Sequence, residues 1–94
     1  MKWLEIIELR SDNRNIKLLE QQLNNLSKDL KKNTEQMAIE VYSRVAVDSD
    51  FSIHLLHNSE KADINGSSLG LLLVSNLKEF GLVNHKVWIE KYHE

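Results

Sequence analysis

The sequence predicts an α+β fold in which strands and helices follow one another in the order β-α-β-β-α-β. Three observations lead to this prediction. Residues 37–58 contain two runs that alternate apolar and polar residues, as strands with one buried face do. Two other stretches carry apolar residues at intervals of three and four, the spacing of an amphipathic helix. Strand-length apolar runs near both ends of the chain complete the order.

The first strand is predicted over residues 2–10, where large and β-branched apolar residues are concentrated. Leu4 and Ile6 fall on one face of this strand, and Trp3, Ile7 and Leu9 fall on the other. This pattern is typical of a central strand that is covered on both sides. Residues 11–13 follow, and their side-chain oxygens suit the start of a helix.

The first helix is predicted over residues 15–32 from five apolar positions, Ile16, Leu19, Leu23, Leu26 and Leu30. The same spacing could be a coiled-coil seam, but it spans fewer heptads than a coiled coil needs. Packing of the helix on a sheet is the better interpretation.

The runs at residues 37–58 predict a β-hairpin with its turn at residues 48–50. One face is apolar and predicts the core: Met37, Ile39, Val41, Val45, Val47, Phe51, Ile53 and Leu55. The other face is mixed: Ala38, Glu40, Tyr42, Arg44, Ala46, Ser52, His54 and Leu56. The two faces should therefore have different roles.

A polar loop is predicted over residues 59–66, followed by a second helix with the apolar positions Leu69, Leu72, Leu73, Leu77 and Phe80. The helix is expected to end at Phe80, with Gly81 as a left-handed C-terminal residue. Gly70 lies inside this helix and indicates a close approach of another group. Alternation resumes over residues 82–92 and predicts the fourth strand.

This order is the split βαβ, or ferredoxin-like, arrangement, predicted as one domain over residues 1–94. Two helices would cover one face of a four-stranded antiparallel sheet and leave the other face open. Without cysteine no disulfide can stabilise so small a core. We therefore expect a homodimer in which two open faces meet and enclose a pocket for a small apolar or aromatic molecule.

Charge and hydropathy exclude several classes of partner. Twelve basic and fourteen acidic residues give a net charge of -2, which argues against nucleic-acid binding. No apolar run is long enough to cross a bilayer, and the first residues lack the features of a signal peptide. The expected location is the cytoplasm, with no membrane partner.

The chain resembles a known superfamily in the segment Phe51-Ser52-Ile53-His54-Leu55, the capped second helix that follows it, and Val87-Trp88-Ile89. These features are similar to the dimeric α+β barrel superfamily, and among its branches to the antibiotic biosynthesis monooxygenase-like branch. The resemblance implies a dimeric barrel and, for some members, cofactor-free oxygenation of aromatic polyketides or quinols. Haem-degrading members use a histidine on the second helix, and residues 69–80 contain none, so no haem and no other cofactor is expected.

The mixed face supplies the candidate site. His54, with Tyr42 and Arg44 beside it, could remove a proton from a phenol and stabilise the anion that forms, as a general base and a cation do. Ligand contacts are expected from Glu40, Ser52, Leu56 and Trp88. The alternative is that Glu40 and Arg44 pair with each other or across the dimer and that His54 is structural.

Metal binding is not expected, because His54 and His57 point to opposite faces of one strand. Three functions therefore stay open: a binding protein without turnover, a monooxygenase-like enzyme that uses His54, and a structural dimer without a ligand.

Overall fold

The computed structural model describes residues 1–30 and 37–92, and they form one antiparallel sheet with two helices. The strands are β1 (Lys2–Ser11), β2 (Met37–Arg44), β3 (Val47–Asn58) and β4 (Gly81–Ile89), and the helices are α1 (Ile16–Leu30) and α2 (Ser68–Leu77). The sheet order is β2-β3-β1-β4, with β3 between the strands that α1 connects. The predicted element order and the ferredoxin-like α+β fold are confirmed.

The core lies between the helices and one face of the sheet, which we call the helix face. Its buried apolar residues form one cluster: Ile7, Leu9, Leu19, Leu23, Phe51, Ile53, Leu55, Leu73, Leu77 and Phe80. β1 and β3 contribute alternate residues to this cluster, as the pleat requires. Ile39 and Val41 of β2 and Val83 of β4 are partly buried and pack against it. The predicted core positions Phe51, Ile53 and Leu55 of β3 are confirmed, and the remaining residues of each strand form the open face.

Helix α1 begins after a short turn that Asp12 organises. The Asp12 carboxylate accepts the Arg14 backbone amide at 3.1 Å and contacts the Arg14 guanidinium at 2.8 Å. These two hydrogen bonds hold the pKa of Asp12 below its ordinary value. Leu19 and Leu23 are buried against the sheet, which confirms the amphipathic pattern. The predicted end of this helix at residue 32 lies outside the described residues.

The hairpin turn differs from the prediction. β2 and β3 are joined by the two residues Val45 and Ala46, and residues 48–50 belong to β3. Val45 is 91% exposed, so its assignment to the core was wrong, and so was that of Val47. A register shift between Ser43 and Arg44 ends the regular alternation of β2, and Ala46 takes a left-handed conformation with φ 64°.

The end of α2 also differs from the prediction. The helix ends at Leu77, where the Lys78 amide still donates to the Val74 carbonyl. Gly81 begins β4 opposite Ser11 instead of capping the helix. A Cβ at this position would overlap the Arg10 carbonyl group, so close packing of β4 on β1 requires the glycine.

The outer surface of α2 is apolar and exposed. Leu71 and Leu72 are both exposed, and Leu72 is 58% exposed. The described residues therefore cover only the side of α2 that faces the sheet. Among them, no helix is long and apolar enough to span a membrane.

The turn provides a test of the hairpin geometry. Ala46→Gly should raise the free energy of unfolding by about 0.5–1 kcal/mol, because glycine adopts positive φ without the steric cost that alanine bears. Ala62 has no positive φ, so Ala62→Gly should leave stability unchanged or reduce it. Urea unfolding measures both variants. Equal destabilisation by the two changes would contradict the left-handed conformation of Ala46.

Candidate functional site

The open face is organised in rows of side chains that run across the strands. The first row is apolar: Ala38, Leu56, Leu4 and Trp88. The second row contains Glu40, His54, Ile6 and Lys86, and the third contains Tyr42, Ser52, Glu8 and Asn84. The fourth row, at the hairpin end, contains Asp50, Arg10 and Leu82. The face therefore changes along the strands from apolar to charged.

His54 contacts other predicted site residues. Its Nε2 atom lies 3.0 Å from the Ser52 hydroxyl, and its ring lies 4.9 Å from the Tyr42 ring, measured between centroids. Tyr42 donates its hydroxyl hydrogen to Glu40, and this bond, with burial and the charge of Glu40, raises the pKa of Tyr42. The phenol is therefore held in its neutral form as a donor. The structure thus brings His54, Tyr42, Ser52 and Glu40 together.

Arg44 contacts a different group. Its Nη1 atom lies 3.2 Å from Asp50, and Arg10 Nε lies 3.9 Å from the same carboxylate oxygen. Both guanidinium groups are mostly exposed, whereas Asp50 is largely covered. The predicted site residue Arg44 therefore belongs to a charged cluster at the hairpin end, and its partner is Asp50 instead of Glu40.

Leu56 and Trp88, which we predicted as ligand contacts, lie in the apolar row. They are 39% and 56% exposed. With Leu4 and Ala38 they line a groove of about 600 Å³. A second groove, of about 500 Å³, lies at the hairpin end and is lined by residues that include Tyr42 and Ser52. The open face thus has an apolar groove and a polar groove.

On the helix face, the structure reveals a cluster that sequence reasoning missed. Glu5 has an exposed fraction of 0%. Its Oε2 atom accepts the Ser67 hydroxyl at 2.6 Å and lies 2.5 Å from His57 Nε2. Its Oε1 atom accepts the Ser67 backbone amide at 2.9 Å and lies 3.0 Å from His85 Nε2. The carboxylate is thus bonded by groups from three other parts of the chain.

Strand register explains why the two histidines reach Glu5. Glu5 pairs with Leu55 on β3 and with Val87 on β4. His57 and His85 are each two residues from those partners, so both are diagonal neighbours of Glu5 on the helix face. Diagonal neighbours lie within reach of long side chains. The alternation of β1 predicts that Glu5 points toward the helices, and this was the one signal in the sequence for a buried carboxylate. The pairing register, which brings the two histidines to Glu5, could not be predicted from the sequence pattern.

Two glycines make room for the carboxylate. A Cβ at Gly66 or at Gly70 would overlap Glu5 Oε1, and at Gly66 it would also overlap the His85 ring. Ser67 lies between them as the N-cap of α2, and its hydroxyl accepts the Gly70 amide at 3.0 Å. The expected close approach at Gly70 is therefore that of the Glu5 side chain to the first turn of the helix.

Trp3 covers the cluster on one side. Its ring stacks on the His57 ring with centroids 3.9 Å apart and an interplanar angle of 17°. Its Nε1 donates to the Ser59 hydroxyl at 2.8 Å. The His57 and His85 side chains are nearly buried. The cluster is therefore a mostly dry polar network at the base of α2.

Opposing effects act on the Glu5 carboxyl. Burial raises its pKa, but the hydrogen bonds from Ser67, His57 and His85 together hold the pKa below its ordinary value of 4.5. The group is therefore an anion at neutral pH, placed where the positive end of a helix dipole favours it. Within residues 1–30 and 37–92, no three His, Cys, Asp or Glu residues are arranged to hold a metal ion.

Comparison with known proteins gives no match: no protein-family model, no curated protein and no solved structure is significantly similar to the chain.

The buried carboxylate gives a pH-dependent stability. Glu5→Gln should lower the free energy of unfolding on the order of 2 kcal/mol at pH 6, because hydrogen bonds to a charged acceptor contribute about 1.5–3 kcal/mol. Since the folded-state pKa lies below 4.5, the Glu5 contribution is complete above that pH and is lost as pH falls through the folded-state pKa. The difference between wild type and Glu5→Gln should therefore shrink as the pH is lowered from 6 to about 3.

Denaturant unfolding at each pH measures this difference. Glu8→Gln is the matched control, because Glu8 is on the same strand but exposed beside Lys86. It should change stability by less than about 0.5 kcal/mol at every pH. A constant gap between wild type and Glu5→Gln across this range would contradict the role given to the carboxylate.

Proposed function

We propose that the protein is a homodimeric binding protein whose open sheet faces pack together and enclose a small apolar or aromatic molecule. One observation carries the proposal: an apolar row, Ala38, Leu56, Leu4 and Trp88, crosses all four strands on the face that the helices leave uncovered. Exposed apolar surface that is continuous across a sheet favours an interface. The element and strand order support the ferredoxin-like fold, and the proposal extends this to the dimeric α+β barrel superfamily and its antibiotic biosynthesis monooxygenase-like branch.

Charge complementarity selects a second copy of this chain as the occupant. A two-fold axis parallel to the strands places each row on the same row of the partner, in reversed order. Glu40 on edge strand β2 then faces Lys86 of the partner subunit on β4. Asp50 likewise faces Arg10 of the partner subunit, and the apolar rows meet. An axis across the strands would instead place the apolar row against the charged hairpin end.

The ligand would occupy the apolar groove once a second sheet closes it. The groove has a volume of about 600 Å³ and is lined by residues that include Leu56 and Trp88. Small-molecule pockets in proteins are mostly apolar and of roughly 300–1,000 Å³. Trp88 offers an aromatic surface on which a planar ring can stack. The size and lining therefore suit an apolar or aromatic molecule.

Charge reversal tests the proposed dimer. Glu40→Lys and Lys86→Glu should each raise the dimer dissociation constant at least tenfold, because each places like charges across the interface twice in every dimer. The double variant should restore dimerisation, since it recreates the pair with reversed signs. Analytical ultracentrifugation measures the dissociation constants. Full dimerisation of both single variants would contradict the proposed axis.

A second pair of variants separates the two exposed apolar surfaces. Leu56→Lys should yield monomers, whereas Leu72→Lys, on the outer surface of α2, should leave the dimer intact. The reverse result would assign the interface to the helix side.

Native mass spectrometry of the protein from its own host reports the mass of the dimer and of any retained molecule. A dimer that carries no small molecule would support the proposed dimerisation and contradict the proposed ligand binding.

A catalytic use of the open face is the second candidate, favoured by the contacts of His54 with Ser52 and with the neutral phenol of Tyr42. In this proposal His54 removes the proton of a phenolic substrate. If the retained molecule is a phenol or quinol, its aerobic conversion should fall about 100-fold or more in His54→Ala, the lower range of general-base contributions. Full turnover by His54→Ala would rule out this role. His57→Ala is not a suitable control, because His57 contacts the buried Glu5 carboxylate.

A further inference from the structure

The polar groove at the hairpin end contains two guanidinium groups that share one carboxylate partner. Arg10, Arg44, Asp50 and Glu8 line it. Asp50 is one carboxylate shared by two guanidinium groups, at 3.2 Å and 3.9 Å. Glu8 lies 3.4 Å from Lys86, which is outside the groove lining. The two arginines and Asp50, which we call the arginine corner, therefore have a net charge of +1.

The geometry leaves donors of the arginine corner directed to solvent. A guanidinium group has five N–H donors in a planar fork, and two of them can hold one carboxylate, sulfonate or phosphate group. The separation of 3.9 Å between Arg10 and Asp50 is too long for a hydrogen bond. Both arginine side chains are more than half exposed. An incoming anion can therefore reach them without breaking a buried pair.

Neutral polar groups of the same groove stand beside the corner. Tyr42, Ser52 and Asn84 form its third-row edge, and Leu82 adds apolar surface. Convergent polar groups beside apolar surface in a cavity of about 500 Å³ are the usual composition of a small-molecule site. The groove can thus hold an anionic group together with the organic body to which that group is attached.

We infer that the protein binds an aromatic or apolar organic anion, with its anionic group held by Arg10 and Arg44 and its body directed between the sheets. This inference rests on the proposed dimer for closure of the cavity. In that dimer the two arginine corners lie at the same end, because the axis runs parallel to the strands. This end then contains four guanidinium groups and two aspartates, and the guanidinium donors favour an anionic group over a cationic one.

A matched pair of fluorescent probes tests the inference. Anilinonaphthalene sulfonate and N-phenylnaphthylamine share an aromatic body, but only the first carries an anionic group. Wild type should bind the sulfonate about tenfold more tightly than the neutral amine, the range that charge-assisted hydrogen bonds supply. Arg44→Gln should remove this preference and leave binding of the neutral probe within about twofold. Fluorescence titration measures all four dissociation constants.

Arg14→Gln is the control, because Arg14 also pairs with an aspartate at the surface but lies outside the open face. It should retain the full preference for the sulfonate. Equal affinity of wild type for the two probes, absence of binding of both probes, or equal loss in Arg14→Gln and Arg44→Gln would overturn the inference.

Ultracentrifugation of the same samples separates this inference from the proposed dimer. In the proposed axis Arg44 faces Leu82 of the partner subunit, so Arg44→Gln should remain dimeric. A dimer that binds both probes equally would overturn the anion site and leave the dimer standing. A monomer that prefers the sulfonate through Arg44 would support the arginine corner and overturn the dimer.

Discussion

The buried carboxylate of Glu5 is the constraint on which the rest of the structure depends. An ionised group removed from water is costly unless hydrogen-bond donors surround it. Glu5 lies on β1, and its donors come from β3, from β4 and from the start of α2. One side chain therefore holds four elements at fixed relative positions. In a chain of 94 residues without cysteine, this network provides a cross-link that a disulfide could otherwise provide.

The same carboxylate explains local features that are unfavourable when taken alone. Glycine inside a helix is less favourable than alanine by about 1 kcal/mol, yet α2 has Gly70 in its first turn. The contact with Glu5 leaves no room for a Cβ there. Ser67 is both a donor to Glu5 and the N-cap of α2. The start of α2 is therefore determined by a residue that lies about sixty positions earlier in the sequence.

Periodicity was sufficient to predict the fold, because each strand and helix buries one side and its apolar spacing records this. It was not sufficient at the turns. The acidic residues 48–50 resemble a turn, but Asp50 is paired with Arg10 and Arg44 on the sheet, which is a tertiary contact. Alternation was enough to place His54, Ser52 and Tyr42 on one face. The contact of His54 with Tyr42 depends on the pairing register of the hairpin, which the predicted turn at residues 48–50 would have shifted. The Glu5 cluster could not be predicted, since it needs the register of three strands and the position of a loop.

The two faces of the sheet are linked through β1, which alternates between them. Both faces of β1 carry large apolar side chains: Leu4 and Ile6 on the open face, and Trp3 and Ile7 on the helix face. Hydrophobicity alone therefore specifies only weakly which side of β1 faces the helices. A shift by one residue would exchange the two sets. It would also move Glu5 away from His57, His85 and Ser67 and place its charge on the open face. The polar cluster therefore specifies the register of β1, and through that register it determines which side chains form the apolar row and the arginine corner on the opposite face.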